Sequence, residues 1–137
     1  MEFLDQKETK FHSKMLQNAM RRKALYRTKL LVFNHVKTQV RVGKIKNQAT
    51  LLKICGLSDN YEQNLCFLML AQKFHNSLYF KRPYMLVYCS PNWRVKAIIE
   101  CIPNQEYHND NKYEYLFVMP ENLVNFLGIK IDDYLRI

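Results

Sequence analysis

Residues 29–46 read KLLVFNHVKTQVRVGKIK, and this stretch decides the fold that the sequence predicts. Over residues 36–42, apolar or branched side chains alternate with polar ones, a period of two that is typical of a half-buried β-strand. We expect Asn34 and His35 to form the turn between this strand and an apolar strand over residues 30–33. The stretch therefore predicts a β-hairpin.

One face of this hairpin is basic. Lys37, Gln39 and Arg41 project together from the alternating strand, and Lys44 and Lys46 extend the same polar surface. Because Lys and Arg side chains contact the phosphate oxygens of nucleic acids, this ribbon is a candidate phosphate-binding surface.

The residues before the hairpin are predicted to form a basic N-terminal helix. Residues 5–27 lack Gly and Pro, and their apolar side chains recur every three or four positions. Basic side chains of this helix are assigned to phosphate contacts: Lys14, Arg21, Arg22, Lys23 and Arg27. We therefore divide the chain into a helical extension over residues 1–28 and a single α+β domain over residues 29–137.

Two helices are predicted downstream of the hairpin, over residues 48–54 and 61–75. The Gly-containing turn between them resembles that of a helix-turn-helix unit. Asp59 and Glu62, however, would place carboxylates against DNA phosphates. We therefore favour a helical pair that packs in the core over one that reads DNA.

A second hairpin is predicted over residues 84–89 and 95–101, because two apolar runs flank the turn sequence SPNWR. Trp93 lies at its tip, where the ring could stack on a base or fold back onto its own sheet. Residues 104–112 are polar and predict a loop.

The last 22 residues, 116–137, predict a strand, a short helix, a turn and a final strand. Pro120 suits the start of the helix, Leu123 and Leu127 share its buried face, and Gly128 ends it in a left-handed cap. This pattern resembles the strand-helix-strand element of AbrB/MazE-type swapped-hairpin proteins and related cradle-loop barrels. The resemblance implies a DNA-binding or barrel-type protein that can dimerise, and it carries over no functional residue.

These elements predict an α+β fold for the 137-residue chain. It consists of a basic N-terminal helix, a helical pair, and a small, mainly antiparallel sheet or partial barrel.

The positive charge is concentrated in one half of the chain. No Asp or Glu occurs from Thr9 to Ser58, a segment with twelve Lys and Arg residues, whereas residues 59–137 hold eight basic and nine acidic residues. Unopposed positive charge repels itself until a polyanion neutralises it. The net charge of +9 therefore favours a nucleic-acid partner.

Signatures of catalysis are lacking. There is no Gly-rich phosphate loop and no recognisable nucleophile–base arrangement, so we expect neither an enzyme nor a cofactor. The four cysteines, Cys55, Cys66, Cys89 and Cys101, lie in apolar contexts and are interpreted as free core thiols. A zinc site formed by them with one of the histidines is the alternative.

We predict a non-enzymatic nucleic-acid-binding protein, either a DNA-binding regulator or a component of a ribonucleoprotein particle. The alternative is a protein-interaction subunit of a larger assembly that docks on an acidic protein surface. The expected partners are DNA or RNA, with a homodimer or a larger protein assembly as a further possibility. No membrane partner is expected, and an intracellular location is predicted because secretory and membrane-spanning patterns are lacking. The predicted nucleic-acid-binding residues are Lys14, Arg21, Arg22, Lys23, Arg27, Lys37, Arg41, Lys44, Lys46 and Trp93.

Overall fold

The computed structural model describes residues 29–48, 65–76, 83–103 and 105–137. These residues form nine strands and one helix. In chain order the elements are β1 (Lys29–Phe33), β2 (Val36–Lys44), β3 (Leu65–Leu70), β4 (Phe74–Asn76), β5 (Tyr84–Cys89), β6 (Val95–Cys101), β7 (Glu106–His108), β8 (Tyr115–Met119), α1 (Glu121–Leu127) and β9 (Leu135–Arg136).

The first predicted hairpin is confirmed. Strand β1 pairs with β2 in antiparallel fashion, and Phe33 lies opposite Val36. Asn34 and His35 form the two-residue turn with φ angles of 48° and 69°. Two consecutive left-handed residues match the right-handed twist of paired strands, which is why such turns are favoured in tight hairpins.

A bulge bends this hairpin. The register of β1 against β2 shifts between Leu30 and Val32. There the Thr38 hydroxyl donates a hydrogen bond of 2.8 Å to the carbonyl of Leu31 and accepts one of 3.1 Å from the Val40 N–H. The side chain thus bridges the two strands where the backbone ladder is interrupted, and a bulge of this kind increases the local bend.

Seven of the strands form one sheet in the order β6-β5-β8-β3-β2-β1-β9. All neighbours in this sheet are antiparallel except β2 and β3, which run parallel. Strands β4 and β7 form a separate antiparallel pair. The second predicted hairpin, β5–β6, is confirmed by its antiparallel register.

The two ends of the seven-stranded sheet meet. Strand β9 pairs with β1 on one side. On its other side, the N–H of Val95 donates to the carbonyl of Asp133 and the N–H of Asp132 donates to the carbonyl of Val95, both at 2.8 Å. The N–H of Leu135 also donates to the carbonyl of Trp93 at 3.0 Å. The sheet therefore closes on itself as a barrel, a solution that leaves few exposed strand edges.

The interior of the barrel is apolar. Each of its seven strands contributes at least one buried side chain to a single cluster: Leu31, Val40, Val42, Cys66, Leu68, Val87, Cys89, Val95, Phe117, Met119 and Leu135. Leu123 and Val124 of α1 and Ile129 after it join the same cluster. The opposite faces of β3, β5 and β8 are also buried, in a second cluster that includes Phe67, Leu86 and Leu116. The central strands are consequently buried on both faces.

The predicted local structure of the C-terminal element is confirmed. Pro120 precedes α1, and Leu123 is buried on its inner face. Gly128 ends the helix with a φ angle of 69°, and its N–H bonds to the carbonyls of Val124 and Asn125. Asp133 lies in the following turn, where its carboxylate accepts a hydrogen bond of 2.7 Å from the Lys130 N–H.

The predicted fold class was wrong. The described residues are mostly strand around a large seven-stranded sheet, with one short helix, rather than an α+β arrangement of a helical pair and a small sheet. The error lies in residues 61–75, which were predicted as a helix, because β3 and most of β4 fall within them. The run LCFLML is apolar on both faces, so its periodicity does not separate a doubly buried strand from a helix.

Some predictions lie outside the described residues. They are the basic N-terminal helix over residues 5–27 and nearly all of the helix over residues 48–54. The loop predicted over residues 104–112 contains strand β7. Within the described part of the chain, no helix has the length and apolar character needed to span a membrane.

Candidate nucleic-acid interface

Two predicted phosphate-binding residues, Lys37 and Arg41, lie on the outer face of β2. Val40 and Val42 point into the barrel, and the alternation of the strand turns Lys37 and Arg41 outward, where both are exposed. The inward side chains fix the orientation of the strand, because a slip by one residue would expose both valines. The two cations are therefore held on a rigid strand rather than on a loop.

Arg136 joins this face from a strand that is distant in sequence. Val32 lies opposite Lys37 on one side and opposite Arg136 on the other, so the three residues form one row across β2, β1 and β9. With strands about 4.8 Å apart, the backbones of Lys37 and Arg136 are about 10 Å apart. Sequence reasoning missed Arg136. Alternation with Leu135 and Ile137 indicated that it points away from them, but nothing local indicated that β9 pairs with β1.

Lys44 and Lys46 lie at the far end of β2 and are also exposed. Lys44 is opposite Leu68 of β3, where β2 ends, and Gly43 beside it is buried. Among the residues that the structure describes, no carboxylate forms an ion pair with Lys37, Arg41, Lys44 or Lys46. These four side chains are free to neutralise an external anion. Lys44 has the strand parity of the inward-facing Val40 and Val42, so it leaves β2 on the other side from Lys37 and Arg41, and Lys46 follows the end of the strand. We name the exposed side chains of Lys37, Arg41 and Arg136 the basic face.

The remaining predicted cations lie outside the described residues. They are Lys14, Arg21, Arg22, Lys23 and Arg27. Their relation to the basic face stays a prediction.

Trp93 does not belong to the basic face. Its ring is stacked on Tyr115 with 3.7 Å between centroids and 5° between planes, and it tilts against Phe117 at 6.1 Å. The ring packs against the barrel interior. Of the two alternatives for this side chain, the one in which it folds back onto its own sheet agrees with this geometry.

Arg94, next to Trp93, is committed to the closure of the barrel. Its guanidinium lies 4.3 Å from the ring centre of Tyr134 and donates a hydrogen bond of 2.7 Å to the hydroxyl of that residue. A second hydrogen bond of 3.2 Å goes to the carbonyl of Asp132. Stacked and hydrogen-bonded in this way, Arg94 stabilises the seam between β6 and β9.

The carboxylates near the seam are likewise engaged within the protein. Asp132 forms an ion pair of 3.0 Å with Lys96. Asp133 accepts hydrogen bonds from the Asn34 side chain and the Lys130 backbone. These contacts are made within the protein, and neither carboxylate pairs with a cation of the basic face.

The described residues contain no cluster of metal ligands. No group of three or more His, Cys, Asp or Glu side chains among them could hold a metal ion. The side chains of Cys66, Cys89 and Cys101 are buried, as predicted, and Cys66 and Cys89 form no disulfide. Burial raises the pKa of Cys89 to about 12 and that of Cys66 further, so neither thiol is a nucleophile at neutral pH.

His75 is buried without a charged partner. Its Nε2 is 2.8 Å from the hydroxyl of Tyr84, and within the described residues its Nδ1 has no hydrogen-bond partner. Burial lowers the pKa of His75 to about 4. The imidazole is therefore neutral at physiological pH and adds no charge to the surface.

Two solved structures share this fold. One is a protein of unknown function from Novosphingobium aromaticivorans DSM 12444, with a TM-score of 0.65 and 14% identity over 80% of this chain and 85% of that one. The other, from Sinorhizobium meliloti 1021, is named a putative transcription regulator. Its TM-score is 0.62 and its identity 12%, over 78% of this chain and 89% of that one. At these identities the likeness shows the fold alone.

No protein-family model and no curated protein sequence matches the chain. Neither solved structure is named as an AbrB/MazE-type protein.

Proposed function

We propose that this chain is a non-enzymatic nucleic-acid-binding protein that contacts the phosphate backbone through its basic face. One observation supports this above all. Lys37, Arg41 and Arg136 are exposed on one outer surface of the barrel, and Lys37 and Arg41 have no carboxylate partner among the described residues.

The physical reason is the release of counterions. A phosphate backbone carries condensed cations, and each Lys or Arg that replaces one frees it into solution. Cations already neutralised by nearby carboxylates would gain little from such an exchange. The basic face retains its charge on a rigid strand, so this gain is available to a polyanion.

We propose a DNA-binding regulator or a component of a ribonucleoprotein particle as the biological form. The fold shared with a protein named as a putative transcription regulator is compatible with the first form. The AbrB/MazE-like pattern of residues 116–137 also favours it, by resemblance. The basic face itself recognises backbone charge, which DNA and RNA have in common.

The test is the salt dependence of binding. We would measure affinity for a duplex DNA over a range of salt with the wild type and with K37Q/R41Q. The matched control K112Q/K130Q removes two exposed cations that lie outside β1, β2 and β9. For K37Q/R41Q we expect the slope of log K against log salt to become shallower by about 1.8, because about 0.9 is lost per phosphate contact.

The control should keep the wild-type slope. Equal slopes for both double variants would mean that charge acts without regard to position, and the assignment of the basic face would be wrong. Absence of binding to any nucleic acid at low salt would contradict the proposed function altogether.

A second candidate is the interaction subunit. Phe126 of α1 is 85% exposed and Val36 is 66% exposed, more than apolar side chains usually are. If the chain binds no nucleic acid but is retained on an acidic polypeptide such as polyglutamate, the basic face would serve protein docking instead.

A further inference from the structure

The small β4–β7 sheet exposes an aromatic pair. Phe74 and His108 are direct cross-strand partners, their ring centres are 4.8 Å apart, and the planes are perpendicular. Phe74 is 42% exposed, although an apolar ring of its size is normally buried. His75 beside it points inward and is almost fully buried, so the strand is anchored while Phe74 is held at the surface.

A cation accompanies this pair. Nζ of Lys73 lies 5.4 Å from the ring centre of Phe74. Lys73 carries its charge on a flexible side chain. The ammonium group can therefore move from the Phe74 ring to a neighbouring anion, which leaves the ring open to a flat group such as a base. We name Phe74, His108 and Lys73 the aromatic platform.

The platform is connected to the segment that follows β2. The Gln48 side chain donates hydrogen bonds to the Gln72 side chain at 2.8 Å and to the carbonyl of Phe74. Gln48 follows Lys46 by only two residues, so these hydrogen bonds join the segment that carries Lys46 to the strand that carries Phe74.

The basic face and the aromatic platform suit different parts of a nucleic acid. On the outer face of β1 the residues opposite Arg41 and Lys37 are Leu30 and Val32, which are aliphatic and half-buried. These aliphatic side chains provide no flat ring on which a base can stack. The platform supplies a flat ring and a cation, the combination by which proteins hold unpaired bases.

We infer that the chain binds single-stranded nucleic acid, with an unpaired base stacked on Phe74 and the adjoining phosphate held by Lys73. This inference rests on the proposed function and narrows its ligand. In a duplex the base faces are covered by their neighbours, so only a splayed strand can use the platform. Glu106 lies 3.3 Å from the His108 imidazole and opposes phosphate on that side, which directs the backbone to the Lys73 side.

The experiment compares F74A with F126A in the full chain. Both remove an exposed phenyl ring, but Phe126 lies on α1, outside the platform. The probes are a fluorescent single-stranded DNA, an RNA of matching sequence, and the blunt DNA duplex of that sequence. We expect F74A to weaken single-strand binding about 5- to 20-fold, the lower part of the range for one stacked base. Duplex binding should stay unchanged, and F126A should match the wild type.

A conservative variant separates stacking from folding. F74Y keeps the flat ring and should retain single-strand affinity, whereas F74L keeps apolar packing without a flat face and should lose it. If F74A fails to fold, the comparison of F74Y with F74L carries the test.

Three outcomes would overturn the inference. If F74A and F74L bind single strands as the wild type does while K37Q/R41Q still flattens the salt slope, the platform is wrong and the proposed function stands. If the wild type binds the duplex as tightly as the single strands, the proposed preference for single-stranded nucleic acid is wrong. Absence of binding to every probe at low salt would contradict the proposed function as well.

Discussion

Asn34 holds Tyr134 across the seam of the barrel, although 100 residues separate the two in sequence. The side-chain oxygen of Asn34 accepts a hydrogen bond of 2.8 Å from the Tyr134 N–H, and the Asn34 N–H donates one of 2.9 Å to the Tyr134 carbonyl. Its amide nitrogen also donates to the carboxylate of Asp133 at 3.0 Å. One turn residue thus secures the last strand to the first hairpin.

Replacing Asn34 should weaken the whole fold. N34A loses both side-chain hydrogen bonds and puts Ala at a φ angle of 48°. We expect the free energy of unfolding in urea to fall by about 2–3 kcal/mol. N34G, which accepts the backbone angle, should lose about 1–2 kcal/mol. A loss below about 0.5 kcal/mol for N34A would show that the seam does not depend on this residue.

Trp93 should contribute to stability rather than to binding. It is the only tryptophan in the chain, and its ring is stacked on Tyr115. We expect W93A to lower the free energy of unfolding by about 2–4 kcal/mol, and W93F to lower it much less because a stacked ring remains. Tryptophan emission should report unfolding and stay constant when nucleic acid is added. Strong quenching on binding would instead restore Trp93 as a contact residue.

His75 should make the protein sensitive to acid. Its pKa is about 4 in the folded chain, against 6.5 for an exposed histidine, because burial disfavours the charged ring. The unfolded chain therefore binds more protons between these values, so stability is full above pH 6.5 and declines as the pH falls towards 4. The loss at about pH 4.5 should be about 2–3 kcal/mol.

The check is urea denaturation at pH 7.5 and 4.5, with H75F as the control. H75F keeps a ring at this position but cannot titrate, so its stability should change less between the two pH values. If wild type and H75F lose the same amount, the acid sensitivity arises at other groups.

Substitution of Gly128 should lower the stability of the fold because of the backbone angle at this position. A β-carbon placed on Gly128 meets no atom within 4 Å, but the φ angle of 69° disfavours every other residue. We expect G128A to lower the free energy of unfolding by about 1–2 kcal/mol and G128N by less, because Asn adopts left-handed angles more readily. Thermal or urea denaturation would measure both. A loss far above this range for G128A would indicate a clash that the geometry does not contain.

The sequence predicted the elements whose signals are local. The first hairpin follows from alternation over residues 36–42 and a turn at Asn34 and His35. The second follows from two apolar runs around a Pro-Asn turn, and the short helix from Pro120 and Gly128. Each of these signals lies within about ten residues of the structure it specifies.

What the sequence did not predict depends on distant partners. Strand β3 packs one face in the barrel interior and the other in the second cluster, so both faces are apolar and the usual alternation is absent. Parallel strands are not joined by a tight turn, so no turn signal in the sequence indicates that β3 pairs with β2. For the same reason the position of Arg136 on the basic face was missed, and the exposure of Phe74 was not foreseen from a run that looked helical.

The closing strand β9 is also the last of the seven barrel strands to be synthesised. During synthesis the β1–β2 hairpin emerges long before residues 135–136, the partners of its free edge. Until then the backbone of Val32 and Phe33 presents unpaired hydrogen-bonding groups to any other chain. Nascent copies on one message can therefore pair with each other at this edge, and a chaperone that shields it would raise the yield of folded protein.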